Sequence, residues 1–400
     1  MNASQSTTTM SPPVNQASVA LDRDKLLDLA RERASLGDFG DTWFLEPMDK
    51  FLEAANREAC LTAPGVAATT EQIVRGLVNR LRMVEDIKRH PEILDEEVHV
   101  AGIILGLPRT GSTIFHRLLA SAPGMTAMHW FELQNHAPFP GEEIGKASDR
   151  KDYAQAMIKG WLEASPDLES IHPLDPDAPD EEIILLGQMF VSTFMEGMTF
   201  VPSFSDWLDG YDQSQGHRDL TTVLKYLQWQ DPSRRGRRWV LKSPSNLPYA
   251  QVAAEAFPEA LLVMTHRDPV ETVPSYISMQ VALYKLSSDL SEAQVADFWF
   301  HRLARWMELF EAARARIGDD RFIDIDYRAV TRAPQEQAES VLERMGVAPD
   351  AEVEIALREF IAGNKREQRP AHAYSLERFG LSEDMIREAF ASYRDRYILS

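Results

Sequence analysis

Residues 98–119, VHVAGIILGLPRTGSTIFHRLL, constrain the fold more than any other stretch of this chain. An apolar run stops at a glycine, turns through a short loop and restarts with helical spacing. Ile103, Ile104 and Leu105 present no polar face, as in a parallel strand covered on both sides. Gly106 and Gly111 allow backbone conformations that a Cβ resists, and Pro108 stiffens the turn between them. A helix opening at Ser112 and Thr113 directs its free N–H groups and positive dipole end at an anion held by the loop. Strand, phosphate loop and helix in this order predict an α/β fold: a P-loop-type parallel sheet flanked by helices, with an N-terminal helical region.

The identity of the phosphate ligand depends on one position. A nucleotide-hydrolysing P-loop reads GxxxxGK[ST], and Gly106 to Thr113 fits every fixed place except the lysine, which is Ser112. The cation comes earlier, as Arg109. Pro108-Arg109-Thr110-Gly111-Ser112-Thr113 resembles the PKSGTT loop of the P-loop sulfotransferases, which bind the 5′-phosphosulfate of PAPS (3′-phosphoadenosine 5′-phosphosulfate). A second stretch, ALLVMTHRDPVETVPS at 260–275, reads as another buried strand ending in Arg267, followed by a helix with Pro269 at its first position. It resembles the 3′-phosphate element of that superfamily, in which a strand-end Arg and a Ser eight residues later hold the nucleotide. Arg267 and Ser275 stand at that spacing, and an arginine with a helical hydroxyl two turns on suits one dianion. WVLKSPSN at 239–246 is a short strand ending in Lys242 and is similar to the Lys-Ser-Pro segment whose lysine approaches the sulfonyl group.

This resemblance implies a sulfotransferase of a bacterial branch, moving the sulfuryl group of PAPS to a hydroxyl or amine of an acceptor and releasing PAP. Arg109 and Lys242 are then the cations for charge growing on the leaving phosphate, while Thr113 and the Gly111–Ser112 backbone hold the 5′-phosphate. Glu132 stands where the heparan-sulfate branch carries its catalytic glutamate, so it is the first candidate base, with His129 and His136 as substitutes. Glu132 is equally readable as a strand-end carboxylate paired with a cation. The glycine-rich RKGxxGxWK segment of cytosolic sulfotransferases is absent, and Lys365, Arg366 and Arg369 are either its stand-ins over the 3′-phosphate or a solvated basic turn. His372, Tyr374 and Phe379-Gly380-Leu381 resemble the ending of a bacterial branch, so the likeness runs from about Val98 onward. Two rivals remain: a P-loop kinase, which lacks its lysine here, and a nucleotide-binding protein without catalysis.

Composition narrows the partners. A net charge of −20 over 400 residues disfavours a nucleic-acid backbone and equally a polyanionic polysaccharide acceptor. The single cysteine, Cys60, is expected to be a buried small apolar residue, and no HExxH or cysteine cluster suggests a metal. No stretch approaches the ~20 apolar residues of a membrane span, and residues 1–20 lack the basic start and apolar core of a secretory signal, so a cytoplasmic protein is expected.

Three regions are expected: a disordered tail over 1–20, N-terminal helices over 21–95, and a sulfotransferase domain over 96–400 with a helical insertion at about 149–235. Helices are read near Leu21, over 47–60, and over 70–89 with Thr70 as N-cap. Residues 124–134, GMTAMHWFELQ, read as a second strand whose alternation puts Glu132 and His129 on opposite faces. A proline- and acid-rich boundary at 171–180 precedes a helix with an acidic first turn, Asp180-Glu181-Glu182, suited to the helix dipole. That helix continues through Met189, Phe190, Phe194, Met195, Met198 and Phe200, either as core or as the wall of an apolar acceptor pocket. Arg234–Arg238 reads as a solvated turn.

Overall fold

The computed structural model describes residues 20–164, 174–364 and 376–398. The opening apolar run forms β1 (His99–Gly106), buried at every residue but the first. From Ile103 on its side chains alternate, Ile103 and Leu105 entering one core and Ile104 another on the opposite face, while Ala101 joins Ile104 because the register shifts between Val100 and Gly102. This is the alternation that a pleated strand imposes. β3 (Arg238–Lys242) and β4 (Leu261–His266) divide in the same way, with Trp239, Leu241, Leu262 and Met264 on the first side and Val240 and Val263 on the second.

With β2 (Met125–Thr126) and β5 (Phe322–Asp326) these strands make a five-stranded sheet in the order β2-β3-β1-β4-β5, parallel throughout. The predicted parallel sheet flanked by helices is the one that forms. Register aligns Ile104 with Lys242 and Gly106 with Thr265, so β3, β1 and β4 end together. All three sequence motifs therefore meet at the carboxyl edge of the sheet, where open α/β sheets bind ligands.

Helices α1 (Arg23–Ala34), α2 (Leu45–Glu58) and α3 (Ala63–Arg89) share the larger core with the chain around residues 183–230. Phe51 meets Phe204 edge-on at 5.6 Å, and Asp219 accepts from both Trp43 Nε1 (3.0 Å) and Arg80 Nη1 (2.9 Å). α3 starts at Ala63 rather than near Thr70, because Thr62 Oγ1 accepts from the Gly65 amide at 3.2 Å. Pro64 is no obstacle there, since a helix leaves its first N–H groups unbonded anyway. Cys60 is exposed, at φ +46°, where the chain turns from α2 toward α3; its predicted burial is wrong.

The stretch 124–134 departs most from its reading. Only Met125–Thr126 is extended, and Trp130–Gln134 is a short helix, α5. Glu132 reaches back to the His129 amide at 2.8 Å, a reciprocal capping box that starts a helix where the apolar alternation predicted a strand. The long apolar helix expected from Pro179 to Phe200 is also broken. It splits into Ile183–Gln188 and Thr193–Met198, with Phe190 at φ +60° between them and Ser192 Oγ capping the second by accepting from Phe194 N at 2.9 Å.

Candidate functional site

The loop after β1 is shaped by contacts that leave little choice of residue. Gly106 has φ +148°, and a Cβ there would lie 2.6 Å from Thr265 Oγ1. Thr110 is buried, donating from Oγ1 to Leu107 O at 2.9 Å with its oxygen 2.7 Å from Thr265 Oγ1. Arg109 itself takes φ +72°, a region that side chains other than glycine and asparagine rarely enter. Gly111 (φ +79°) is the N-cap of α4 (Ser112–Ala120), and no side chain caps that helix. The first amides of α4 therefore face the loop's concave side with the positive end of the helix dipole, the arrangement that favours a phosphate.

β4 and the helix after it bring the second motif to the same loop. Arg267 Nη1 donates to Arg109 O at 3.0 Å, and Arg109 Nε donates to Ser275 Oγ at 3.2 Å. Ser275 lies on the helix Pro269–Tyr284, whose N-cap is Asp268. The Arg267 guanidinium lies 4.3 Å from the centroid of the Tyr327 ring and pairs with Glu271 through Nε (3.0 Å) and Nη2 (2.8 Å). Three residues from two separate stretches of sequence, Arg109, Arg267 and Ser275, thus form one hydrogen-bonded cluster.

Lys242 closes the other side. Its ammonium is fully buried and donates to Thr113 Oγ1 at 3.1 Å and to Glu181 Oε1 at 2.5 Å. Its amide donates to Glu182 Oε2 at 2.8 Å, and Asn246 Nδ2 donates to Glu182 Oε1 at 3.0 Å. Burial pushes the Glu182 carboxyl up to about 7, against the pull of these donors. His116, on α4, turns away from the loop: Nε2–H donates to Val240 O at 3.1 Å, and burial, helped by the Lys242 charge, holds its pKa down at about 3.

The three residues proposed as bases are elsewhere. Glu132 is 5% exposed, with one oxygen capping α5 and the other accepting from Arg234 Nη2 at 2.7 Å. The strand reading separated Glu132 from His129, yet the capping box joins them, and Arg234 Nη2 also lies 3.2 Å from His129 Nδ1. Arg234 is itself buried, which corrects its reading as part of a solvated turn. His136 is buried too, and desolvation lowers its pKa to about 3. Among the described residues none of the three hydrogen-bonds to the phosphate loop or to Lys242. Lys365, Arg366 and Arg369 lie outside the described residues.

A profile of the sulfotransferase family matches residues 103–351, from inside β1 to the helix that begins at Ala351. The chain belongs to the sulfotransferase family. The omega-hydroxy-beta-dihydromenaquinone-9 sulfotransferase Stf3 of Mycobacterium bovis is 22% identical over 305 residues, 74% of each chain. The crystal structure of sulfotransferase STF1 from Mycobacterium tuberculosis H37Rv is 26% identical and superimposes with a TM-score of 0.81 over 93% of this chain and 99% of that one. Sulfotransferase STF9 from Mycobacterium avium shares the fold at a TM-score of 0.84, with 24% identity over 96% of this chain and 98% of its own.

These coverages extend the likeness to the helices before β1, whereas the sequence motifs carried it only from about Val98. The protein is a sulfotransferase with a five-stranded parallel sheet, as the motifs implied. Sequence reasoning missed Glu181 and Glu182 as site residues, although both were in view as the acidic first turn of a helix. Their signal is position: two carboxylates follow the proline-rich boundary directly, and β3 supplies the buried lysine that they need. No helix among the described residues is long and apolar enough to cross a membrane.

Proposed function

We propose that this sulfotransferase uses PAPS as its donor and places the sulfuryl group on a hydroxyl of a small or medium-sized, largely apolar acceptor, releasing PAP. The observation that carries the reading is the convergence of Arg109, Arg267 and Ser275 on one side of the phosphate loop, with Lys242 on the other. The uncapped start of α4 and Thr113 suit the 5′-phosphate, and Arg267 with Ser275 suits the 3′-phosphate. Lys242, buried beside the loop, is suited to stabilise charge on the leaving phosphate, because a cation acts most strongly where water is excluded. Ser112 in place of the P-loop lysine argues against phosphoryl transfer from ATP.

The acceptor class rests on two supports. The relative Stf3 is named for a hydroxylated menaquinone, an apolar molecule with a terminal hydroxyl. In this chain a crevice of about 10 Å³, room for one water, is lined by Ile73, Ile184, Phe194 and Met195 together with Gln72, Arg75 and Gln188, and begins one helical turn beyond Glu181. Phe190 and Met195 are core residues, but Phe194 is only half-buried, and Met and Phe side chains of this kind repack readily around apolar guests. Calorimetric titration with PAP tests the donor, and isotopically labelled PAPS offered to phenolic, lipid, amine and carbohydrate pools tests the acceptor. Strong transfer to sulfated polysaccharide alone would overturn the apolar-acceptor reading, while failure to bind PAP would overturn the donor reading.

A further inference from the structure

The turn that carries Arg267 is held by a distant part of the chain. We propose that the helix Ala391–Tyr397 is the positioning element of the nucleotide site: Tyr393 and Arg394 fix the backbone on either side of Arg267 and so set how tightly the 3′-phosphate is held. This inference rests on the reading of Arg267 and Ser275 as the 3′-phosphate ligands.

The need for a support follows from where the sheet ends. Pairing between β4 and β5 stops at His266, opposite Asp326, so Arg267 and Asp268 leave the ladder that fixes the residues before them. A guanidinium is aimed at a phosphate only if the main chain beneath it is held. The helix Ala391–Tyr397 supplies that hold at three successive residues. Tyr393, 1% exposed, has its hydroxyl 3.0 Å from His266 Nδ1, and the Arg267 amide faces the same oxygen. On the other side of the imidazole, His266 Nε2 lies 2.8 Å from Asp324 Oδ1, and the Tyr397 ring stacks on the imidazole at 4.5 Å. Arg394, 8% exposed, grips Asp268 with both arms of its fork, Nε donating to Oδ1 at 3.0 Å and Nη2 to Oδ2 at 3.1 Å.

Asp268 passes this grip on to Ser275. Its Oδ1 also accepts from the Val270 amide at 3.0 Å and so caps the helix Pro269–Tyr284, whose second turn carries Ser275. Burial pushes the Asp268 carboxyl up, but the hydrogen bonds from Arg394 and the Val270 amide outweigh it and hold the group below its usual range. A bidentate arginine fixes the plane of a carboxylate as well as its place, whereas a lysine keeps the charge and loses the plane. Among the described residues neither Tyr393 nor Arg394 hydrogen-bonds to the phosphate loop, to Lys242 or to Ser275, so their effect on the nucleotide runs through residues 266–268.

The test is calorimetric titration of full-chain variants with PAP and with adenosine 5′-phosphosulfate, which lacks the 3′-phosphate, beside thermal melts. Arg394→Gln should weaken PAP binding about tenfold, the scale of one misplaced charge-assisted contact, and adenosine 5′-phosphosulfate binding by less than about twofold. Arg394→Lys should recover part of the loss. Tyr393→Phe, which removes the hydroxyl and leaves the packing in place, should cost PAP about threefold and carries the same comparison if Arg394→Gln does not fold. In an Arg267→Ala background Arg394→Gln should weaken PAP by at most about twofold, through Ser275, because its main effect is already lost. A role in stability alone would lower Tm and leave the ratio of the two affinities unchanged. Equal losses for both nucleotides in Arg394→Gln, wild-type PAP affinity in that variant, or fully additive losses in the double variant overturn the positioning role. An Arg267→Ala protein that fails to separate the two nucleotides removes the 3′-phosphate reading itself, and the positioning role with it.

Discussion

Replacing Arg267 by Ala separates a 3′-phosphate contact from a general effect on the loop. In the folded protein the guanidinium spends Nε and one Nη2 hydrogen on Glu271 and one Nη1 hydrogen on Arg109 O. An arginine has five N–H donors, so about two remain for a phosphate without breaking either contact. A charge-assisted hydrogen bond contributes about 1.5–3 kcal/mol. Glu271 lies on the same guanidinium and opposes an incoming dianion, which favours the lower part of that range. We therefore expect a loss of about 2 kcal/mol in PAP binding, or about 30-fold. Adenosine 5′-phosphosulfate, which lacks the 3′-phosphate, should lose only about threefold, through the slackened tether on the Arg109 carbonyl. Glu271→Gln should shift PAP affinity the other way, tightening it severalfold by removing the competing charge. Calorimetric titration of both ligands against wild type and the two variants measures each value. Equal losses for PAP and adenosine 5′-phosphosulfate in Arg267→Ala would refute the reasoning and assign Arg267 to the loop alone.

Two further variants probe buried carboxylates, one at Glu132, away from the loop, and one at Glu182, beside Lys242. Glu132→Gln should destabilise the fold by about 2–4 kcal/mol in denaturant melts, since it leaves the buried Arg234 guanidinium with Asp231 as its remaining carboxylate partner, while kcat of the folded enzyme stays near wild type. A large fall in kcat with unchanged stability would return the base role to Glu132. Stability should also follow pH in a way that Glu182→Gln alters. His116 and His136 are held down to about 3 by burial, so the unfolded chain binds their protons first; the stability they contribute is full above pH ~6.5 and is lost as pH falls toward 3, at roughly 1.4 kcal/mol per unit for each. Glu182, raised to about 7 by burial, acts oppositely: between pH ~4.3 and 7 the folded chain keeps a proton that the unfolded chain has released, which lowers stability by roughly 3–4 kcal/mol over that window. Glu182→Gln should therefore gain stability relative to wild type between pH 5 and 8, and parallel pH curves for the two proteins would show that Glu182 ionises normally.

The stretch at 124–134 illustrates how a local pattern loses to a local hydrogen bond. Met128, Trp130 and Glu132 alternate as a strand would, but a carboxylate three residues after His129 satisfies a free amide and starts a helix instead. The Pro179–Phe200 stretch shows the converse, since its continuous apolar pattern says nothing about where Ser192 interrupts it. The loop after β1 and the strand–helix junction at 266–275 were legible as local structure because each is encoded by neighbours in sequence. A loop that wraps an anion needs glycine at left-handed backbone positions, and a strand–helix junction presents Arg267 and Ser275 two turns apart. Buried parallel strands announce themselves as unbroken apolar runs, so the sheet was legible too.

Pairing between distant segments left no such trace. Glu181 is 61 residues from Lys242 in the chain and meets it where residues 178–180 pair with 128–130 and the Lys242 amide donates to Glu182. Glu132 and Arg234 are 102 residues apart, and nothing in the run Arg234–Arg238 marks which arginine turns inward. An isolated carboxylate looks the same in sequence whether it caps a helix, neutralises a buried arginine or faces a substrate. Its role is set by which cation the fold brings within hydrogen-bond distance and by how much water remains around it, and both are properties of the folded chain.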